Sequence, residues 1–380
     1  MAEPLKLMYT ETFLQTFAAR LQSVYPPFES RQFVDEVLGE GWETLELKAR
    51  IRRISSVLGR FLPLPFAEAL GILYRIDEAC TGFPYLFFPD FVEVHGTSEA
   101  DFELALDALE RFTSKSSSEF AIRFFLLREP ERTLRRMRLW AGSSSEHVRR
   151  LASEGCRPRL PWGQALPVFK RNPAPVLELL ETLKADPALY VRKSVANNLN
   201  DIAKDHPDRI KETALRWYGS DPRTDWIVRH GCRGLLRAAD PAVLSLFGYT
   251  AAGSEEAVPL IEAASISVSP DSIAIGGSVE LRIEGQMRLG GPYRIRLEYA
   301  IDFVKASGRT SRKLFRLSDK TIAGGERFSI VRRHRFADLT TRRHYPGVHR
   351  ISLTVNGAEY AQTSLTLHAP SPVSDSYAKG

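Results

Sequence analysis

Three cysteines in 380 residues, Cys80, Cys156 and Cys232, are an odd and widely spaced set. Their spacing excludes any CxxC pair, so neither a disulfide scaffold nor a thiolate metal site is expected, and a reducing compartment is. No apolar run approaches the roughly 20 residues that cross a bilayer. The opening stretch, Met1 to Thr10, has neither the basic start nor the apolar core of a signal peptide. The phosphate-cradling P-loop and the GxGxxG, GxSxG and HExxH patterns are absent. That disfavours nucleotide-cofactor, serine-hydrolase and zinc-protease chemistry, and no cofactor or metal is expected. Neither sign of charge prevails strongly, with 52 Lys+Arg against 46 Asp+Glu and a net of +6. At 43% apolar residues the chain is not a disordered one, and its length suits two domains of usual size. These absences leave a soluble, cytoplasmic protein without a membrane partner as the expectation.

The charge is unevenly distributed. Residues 1–110 hold 9 Lys+Arg and 18 Asp+Glu, a net of −9, and residues 111–250 hold 25 against 15, a net of +10. Residues 251–380 add a net of +5. An acidic third followed by a basic middle points to a polyanion-binding surface in that middle segment, or to a solvated arginine-rich helical face.

To about residue 250 the apolar residues recur at three- and four-residue spacing, as in Phe13, Phe17, Leu21 and in Phe66, Leu70, Leu73. Prolines and glycines, among them Pro130, Pro173, Pro207, Pro222 and Pro241, punctuate the pattern as helix stops. A weak repeat runs through it: Val148-Arg149, Val191-Arg192 and Val228-Arg229 lie 43 and then 37 residues apart. A Val-Arg pair early in a second helix with a period near 40 predicts a HEAT-like α-solenoid, whose stacked helix pairs offer a long binding surface. Near Gly253 the pattern changes to period two, as in Val279–Glu284, Ile295–Ile301 and Ile351–Val355, with glycine-rich turns between. Roughly seven short strands predict an all-β immunoglobulin-like sandwich. The expected organisation is a mainly α chain with a helical domain at 1–252, a sandwich at 262–368 and a flexible tail at 369–380.

Three carboxylates stand in basic company: Glu119, opening a predicted helix over 118–127, Glu154 at the end of Val148–Glu154, and Asp201. A carboxylate in a surface meant for polyanions repels its ligand, so it needs a reason. Plainer uses exist for each: a helix N-terminal charge for Glu119, a salt bridge to Arg149 or Arg150 for Glu154, and a partner in Arg192 for Asp201. The segment Arg157-Pro158-Arg159-Leu160-Pro161-Trp162 is held extended by its prolines and presents two guanidiniums and an indole. That is the composition of a surface that meets nucleic-acid backbone and sugar, or of a Trp packed under a loop.

The Ser117–Arg123 helix start, the long string from Val148 through Glu154 to Trp162, and the helix from Val191 through Asn197 and Asn198 to Asp201 resemble DNA alkylation-repair glycosylases of the HEAT-like repeat superfamily, AlkC type. The motif-bearing resemblance spans roughly residues 115–240. The sandwich is similar to the domain appended to some AlkC members, with Phe303–Lys313 resembling a basic hairpin. The resemblance implies a monomeric DNA N-glycosylase that excises cationic N3-alkylated bases, such as 3-methyladenine and also 3-methylcytosine, from double-stranded alkylated DNA. It implies that this happens without full base flipping, unlike the usual glycosylase logic. A base alkylated at a ring nitrogen is already cationic and departs without a general acid, so carboxylates are needed only to stabilise the oxocarbenium-like sugar and direct a water. On that reading Glu119, Glu154 and Asp201 are catalytic, the last two nearest sugar and water. Trp162 packs on the lesion nucleotide, and Arg149, Arg150, Arg157, Arg159, Lys193, Arg229 and Arg233 hold phosphates. Lys305, Arg309, Arg312 and Lys313 extend the DNA contact from the sandwich. The competing expectation is a non-catalytic HEAT-repeat scaffold that binds nucleic acid or an acidic protein.

Overall fold

A computed structural model describes residues 4–63, 65–250, 259–339 and 342–369. The chain forms two compact units, Met1–Cys232 and Arg233–Gly380. Past Ala369 the expected tail lies outside the described residues, as do residues 251–258 around the composition change.

The first unit is helical throughout. Helices α1 to α6 are Glu11–Val24, Ser30–Val37, Leu47–Phe61, Phe66–Tyr74, Phe87–His95 and Phe102–Thr113. Helices α7 to α14 are Ile122–Arg128, Pro130–Trp140, Glu146–Glu154, Pro167–Arg171, Ala174–Leu183, Leu189–Ile202, Pro207–Trp217 and Pro222–Gly231. Pro130, Pro207 and Pro222, expected as stops, are instead the first residues of α8, α13 and α14. The missing proline N–H costs nothing at a position where a helix leaves its N–H groups unpaired. Asp221 completes the start of α14 by accepting from the backbone N–H groups of Arg223 and Thr224 at 2.8 and 3.3 Å.

The Val-Arg repeat has a structural basis. Val148, Val191 and Val228 are all buried where successive second helices, α9, α12 and α14, pack side by side. Arg149 Nη1 donates to the carbonyls of Ser143 and Ser144, both at 2.9 Å. Arg192 Nη1 does the same to Asp186 and Pro187 at 2.8 and 2.7 Å. In both repeats the guanidinium satisfies the two carbonyls just ahead of its own helix, which would otherwise lack partners near the surface.

The second unit opens with two short helices, α15 (Arg233–Arg237) and α16 (Pro241–Leu246), followed, among the described residues, by eight strands. These are β1 (Ile261–Ser269), β2 (Ser272–Ala274), β3 (Ser278–Met287), β4 (Tyr293–Val304), β5 (Thr310–Ile322), β6 (Arg327–Arg335), β7 (Gly347–Val355) and β8 (Ala358–His368). They form a three-stranded sheet, β1-β3-β6, and a five-stranded sheet, β2-β8-β7-β4-β5, in which β2 pairs with β8 in parallel. Strand β3 shows why: Val279, Leu281 and Ile283 are buried while Glu280, Arg282 and Glu284 are exposed, as a half-buried strand of period two requires. The two sheets enclose one apolar core that includes Leu281, Leu297, Ile351 and Leu365.

Candidate active site

The three carboxylates named from the sequence come together in the first unit. Glu154 is the last residue of α9 and Asp201 lies near the end of α12; they are 6% and 2% exposed. Glu119 does not open a helix. It sits in a turn ahead of α7, which starts at Ile122, because Ser118 is used elsewhere: its hydroxyl donates to the Leu109 carbonyl at 2.7 Å. That anchor ties the turn to α6 and presents Glu119 sideways.

Two guanidiniums interleave with the carboxylates. Arg150 Nη2 donates to Glu119 Oε2 at 2.7 Å and lies 3.7 Å from Glu154 Oε1. Arg157 Nη1 donates to the same Glu154 Oε1 at 2.6 Å. Its Nε and Nη2 both lie 2.8 Å from Asp201 Oδ2. Lys204 Nζ closes the row on Asp201 Oδ1 at 3.0 Å. Burial by itself lowers the tendency of Arg150 and Arg157 to hold a proton. For Arg150 the Glu119 and Glu154 charges, and for Arg157 the Glu154 and Asp201 charges, outweigh it, so both sit above the ordinary arginine value. The row therefore alternates in sign: Glu119, Arg150, Glu154, Arg157, Asp201, Lys204.

Underneath, α9 and α12 are stitched together by short polar contacts. Ser194 Oγ donates to Ser153 Oγ at 2.9 Å, and Asn198 Nδ2 donates to the Ser153 carbonyl at 2.9 Å. Gly155 lets α7 approach, since a Cβ there would stand 2.6 Å from Ile122 Cγ2. Cys156 is a buried thiol whose pKa burial pushes up to about 12, so it packs rather than reacts.

The loop from Gly155 to Leu166 carries the rest of the site, and it is organised by a residue the sequence reading passed over. Arg123, buried on α7, donates from Nη1 to the carbonyls of Gly155 and Arg157 at 3.0 and 2.8 Å, and from Nε to the Gln164 carbonyl at 2.5 Å. Burial lowers its pKa to about 10, still far above neutrality. At the loop tip Trp162 is 64% exposed and adopts a φ of 61°, a left-handed conformation that costs a bulky residue on the order of 1–2 kcal/mol. Lys48, on α3 in the acidic third, donates from Nζ to the Trp162 carbonyl at 2.9 Å and rests over the Phe120 ring at 4.9 Å. On the other flank Tyr190 is partly exposed, with Arg150 over its ring at 4.7 Å. Only Arg123 had a sequence signal, as the last residue of the Ser117–Arg123 string. Lys48 had none.

The basic residues expected at phosphates have different situations. Arg149 is held by Asp186 at 2.6 and 3.1 Å, and Arg159 by Asp205 at 2.6 and 3.1 Å. Arg150 and Arg157 are inside the carboxylate row, and Asp201 pairs with Arg157 and Lys204 rather than with Arg192. Lys193 is exposed on α12, and Arg229 is exposed with its guanidinium over Tyr218 at 5.1 Å. Arg233 begins the second unit. There, Lys305 and Arg309 close the β4–β5 hairpin through a backbone hydrogen bond of 2.8 Å. Arg312 pairs with Glu359 at 3.0 Å, and Lys313 lies over Phe315 at 5.5 Å. Among the described residues no group of three or more His, Cys, Asp or Glu side chains is placed to hold a metal ion.

The chain as a whole is similar to known proteins. Uncharacterized protein YhaZ of Bacillus subtilis (strain 168) is 43% identical over 353 residues, covering 93% of this chain and 96% of the relative. The alkylpurine DNA glycosylase AlkC of Pseudomonas fluorescens, solved bound to DNA containing an abasic site analog, is 37% identical. It superposes with a TM-score of 0.90 over 97% of this chain and 100% of its own. The chain belongs to the AlkC family. The family model for the YhaZ C-terminal Ig-like domain matches residues 262–369, so the AlkC-type sandwich begins where the period-two pattern does. In this AlkC-type chain the alternating row of carboxylates and guanidiniums, with Trp162 and Tyr190 beside it, is the candidate site.

Proposed function

We propose that the protein is a DNA glycosylase of alkylation repair that hydrolyses the N-glycosidic bond of cationic N3-alkylated bases in duplex DNA, 3-methyladenine first and 3-methylcytosine second. One observation supports this above all: three carboxylates from separate segments are gathered around two guanidiniums, Arg150 between Glu119 and Glu154 and Arg157 between Glu154 and Asp201. Lys204 is half exposed and can turn to water, so the buried part of the row sets three carboxylates against two guanidiniums, an excess of negative charge suited to a developing sugar cation.

The chemistry follows from charge. The alkylated base leaves as a neutral molecule, so no acid is needed to protonate it. As the bond stretches, positive charge grows on C1′ and O4′ of the deoxyribose, and Asp201 and Glu154 stabilise it. Glu154 engages both arginines through Oε1, and its other oxygen directs a water to C1′ and takes its proton. Glu119 adds negative charge from the far side of Arg150. Trp162, exposed and held up by its strained backbone, packs on the sugar or backbone of the lesion nucleotide, which lets the base stay in the duplex. Lys193, Arg229, Lys305 and Arg309 contribute phosphate contacts, which give sequence-independent, salt-sensitive affinity.

The test is release of free 3-methyladenine from methylated duplex DNA by EDTA-treated protein, followed by chromatography of the released bases. Release well above the spontaneous rate is expected. Tight DNA binding with no release would leave the non-catalytic scaffold in its place.

A further inference from the structure

Arg157 was an expected phosphate ligand, and its surroundings do not allow that use. The residue is 7% exposed, and all three guanidinium nitrogens are engaged inside the protein. We infer that Arg157 is a positioning residue of the reaction: it sets the placement of Glu154 and Asp201 relative to one another across the boundary between two helical repeats. The inference rests on the glycosylase reading and assigns the residue a part in it.

Glu154 ends α9 and Asp201 is near the end of α12, so no backbone hydrogen bond fixes one carboxylate against the other. Side chains must do it. Two like charges in a poorly solvated site repel, and each prefers to turn away or neutralise. Arg157 offsets this with a planar fork that meets Glu154 at 2.6 Å through one nitrogen and Asp201 at 2.8 Å through two. Such a fork fixes angle as well as distance, which a lysine ammonium cannot do.

The fork itself is anchored. The Arg157 carbonyl receives Arg123 Nη1 at 2.8 Å, the next residue is Pro158, and the Pro158 carbonyl receives the Leu166 N–H at 3.1 Å. The backbone at the root of the side chain is thus held from a buried helix on one side and closed by its own loop on the other. Arg150 plays the lesser counterpart, reaching Glu154 only at 3.7 Å while holding Glu119 at 2.7 Å. The difference in contact makes Arg157 the stronger determinant of where Glu154 points.

Single-turnover excision of 3-methyladenine with enzyme in excess, measured beside the dissociation constant for duplex DNA containing an abasic-site analogue, tests this. Arg157→Gln is expected to slow excision about 10- to 100-fold while the dissociation constant stays within about threefold of wild type. Arg157→Lys restores the charge without the fork and recovers only part of the rate. In the Asp201→Asn background, Arg157→Gln adds little further loss, because the two act as one unit. A phosphate ligand behaves otherwise: affinity drops, the salt dependence of binding becomes shallower, and the losses add in the double variant. That pattern, or a wild-type excision rate in Arg157→Gln, overturns the inference. If thermal melting shows that Arg157→Gln does not fold, the same split between rate and affinity is read from Arg157→Lys. Wild-type protein in the same assay separates the two levels. Failure of wild type to release base removes the glycosylase reading and the inference with it, whereas active wild type with an unaffected variant removes only the inference.

Discussion

Replacing Asp201 by asparagine keeps the shape of the side chain and deletes one negative charge at a position 2% exposed. The cost to folding can be bounded from its partners. Asparagine Oδ1 can still accept from Arg157, whose second anion, Glu154 at 2.6 Å, remains in place. The new amide then faces Lys204, whose side chain is half exposed and can turn to water. Arg157 is left with one charged partner rather than none, so the loss of stability should be about 1–3 kcal/mol, the range for weakening a buried charge-assisted contact. The cost to catalysis is larger. A fixed charge aimed at the developing sugar cation in a dry site contributes about 3–4 kcal/mol to transition-state stabilisation, or 10²- to 10³-fold in rate. Asp201→Asn should therefore bind an abasic-analogue duplex nearly as wild type does while its single-turnover excision of 3-methyladenine falls about two to three orders of magnitude. Thermal melting run alongside shows whether the variant is folded. An excision rate within threefold of wild type in a folded variant would refute the placement of Asp201 at the reacting sugar. A rate restored simply by raising the enzyme concentration would show that the residue acts on binding.

Two further outcomes follow from other parts of the chain. Because Trp162 holds a φ of 61° while exposed, Trp162→Gly should be more stable than Trp162→Ala by about 1 kcal/mol, the reverse of the usual order. Both should impair excision, and a melting temperature for the alanine variant at or above that of the glycine variant would show that the loop relaxes once the indole is gone. In the sandwich, His334 has its pKa lowered from 6.5 to about 4, chiefly by burial and then by the nearby Arg342 charge. Between those values the unfolded chain binds the proton that the folded chain excludes. The stabilising contribution is thus complete above pH 6.5 and is lost as pH falls toward 4, amounting to about 2 kcal/mol between pH 7 and pH 5. His344 and His349 are also lowered by burial and act in the same direction. Melting of the sandwich between pH 7 and pH 5 should fall less steeply in His334→Gln, and an equal slope in both proteins would mean that His334 is already protonated in the folded state.

Much of the fold was legible in the chain because periodicity is a local property. Phe66, Leu70 and Leu73 mark a helix by spacing alone, and Val279, Leu281 and Ile283 mark a strand, whatever lies across from them. The Val-Arg repeat was legible too, though two of its arginines, Arg149 and Arg192, proved to serve carbonyls ahead of their own helices. Pro130, Pro207 and Pro222 marked real boundaries, read from the wrong side: proline is excluded from helix interiors but welcome at the first position.

The sequence by itself singled out the candidate residues for the chemistry. Glu119, Glu154 and Asp201 stood out as anions in a segment of net +10, and Trp162 as an indole on a proline-stiffened loop. Only the tertiary structure decided who stands beside whom. Arg157 and Asp201 are 44 positions apart and Lys48 and Trp162 are 114 apart, and no spacing rule connects either pair. A guanidinium on a basic surface and one bridging two buried carboxylates look identical in a string of letters. They differ in solvation and in partners, which are set when α9 and α12 pack and the loop after Gly155 closes over Arg123. Charge is written in the chain, and its pairing is a property of the fold.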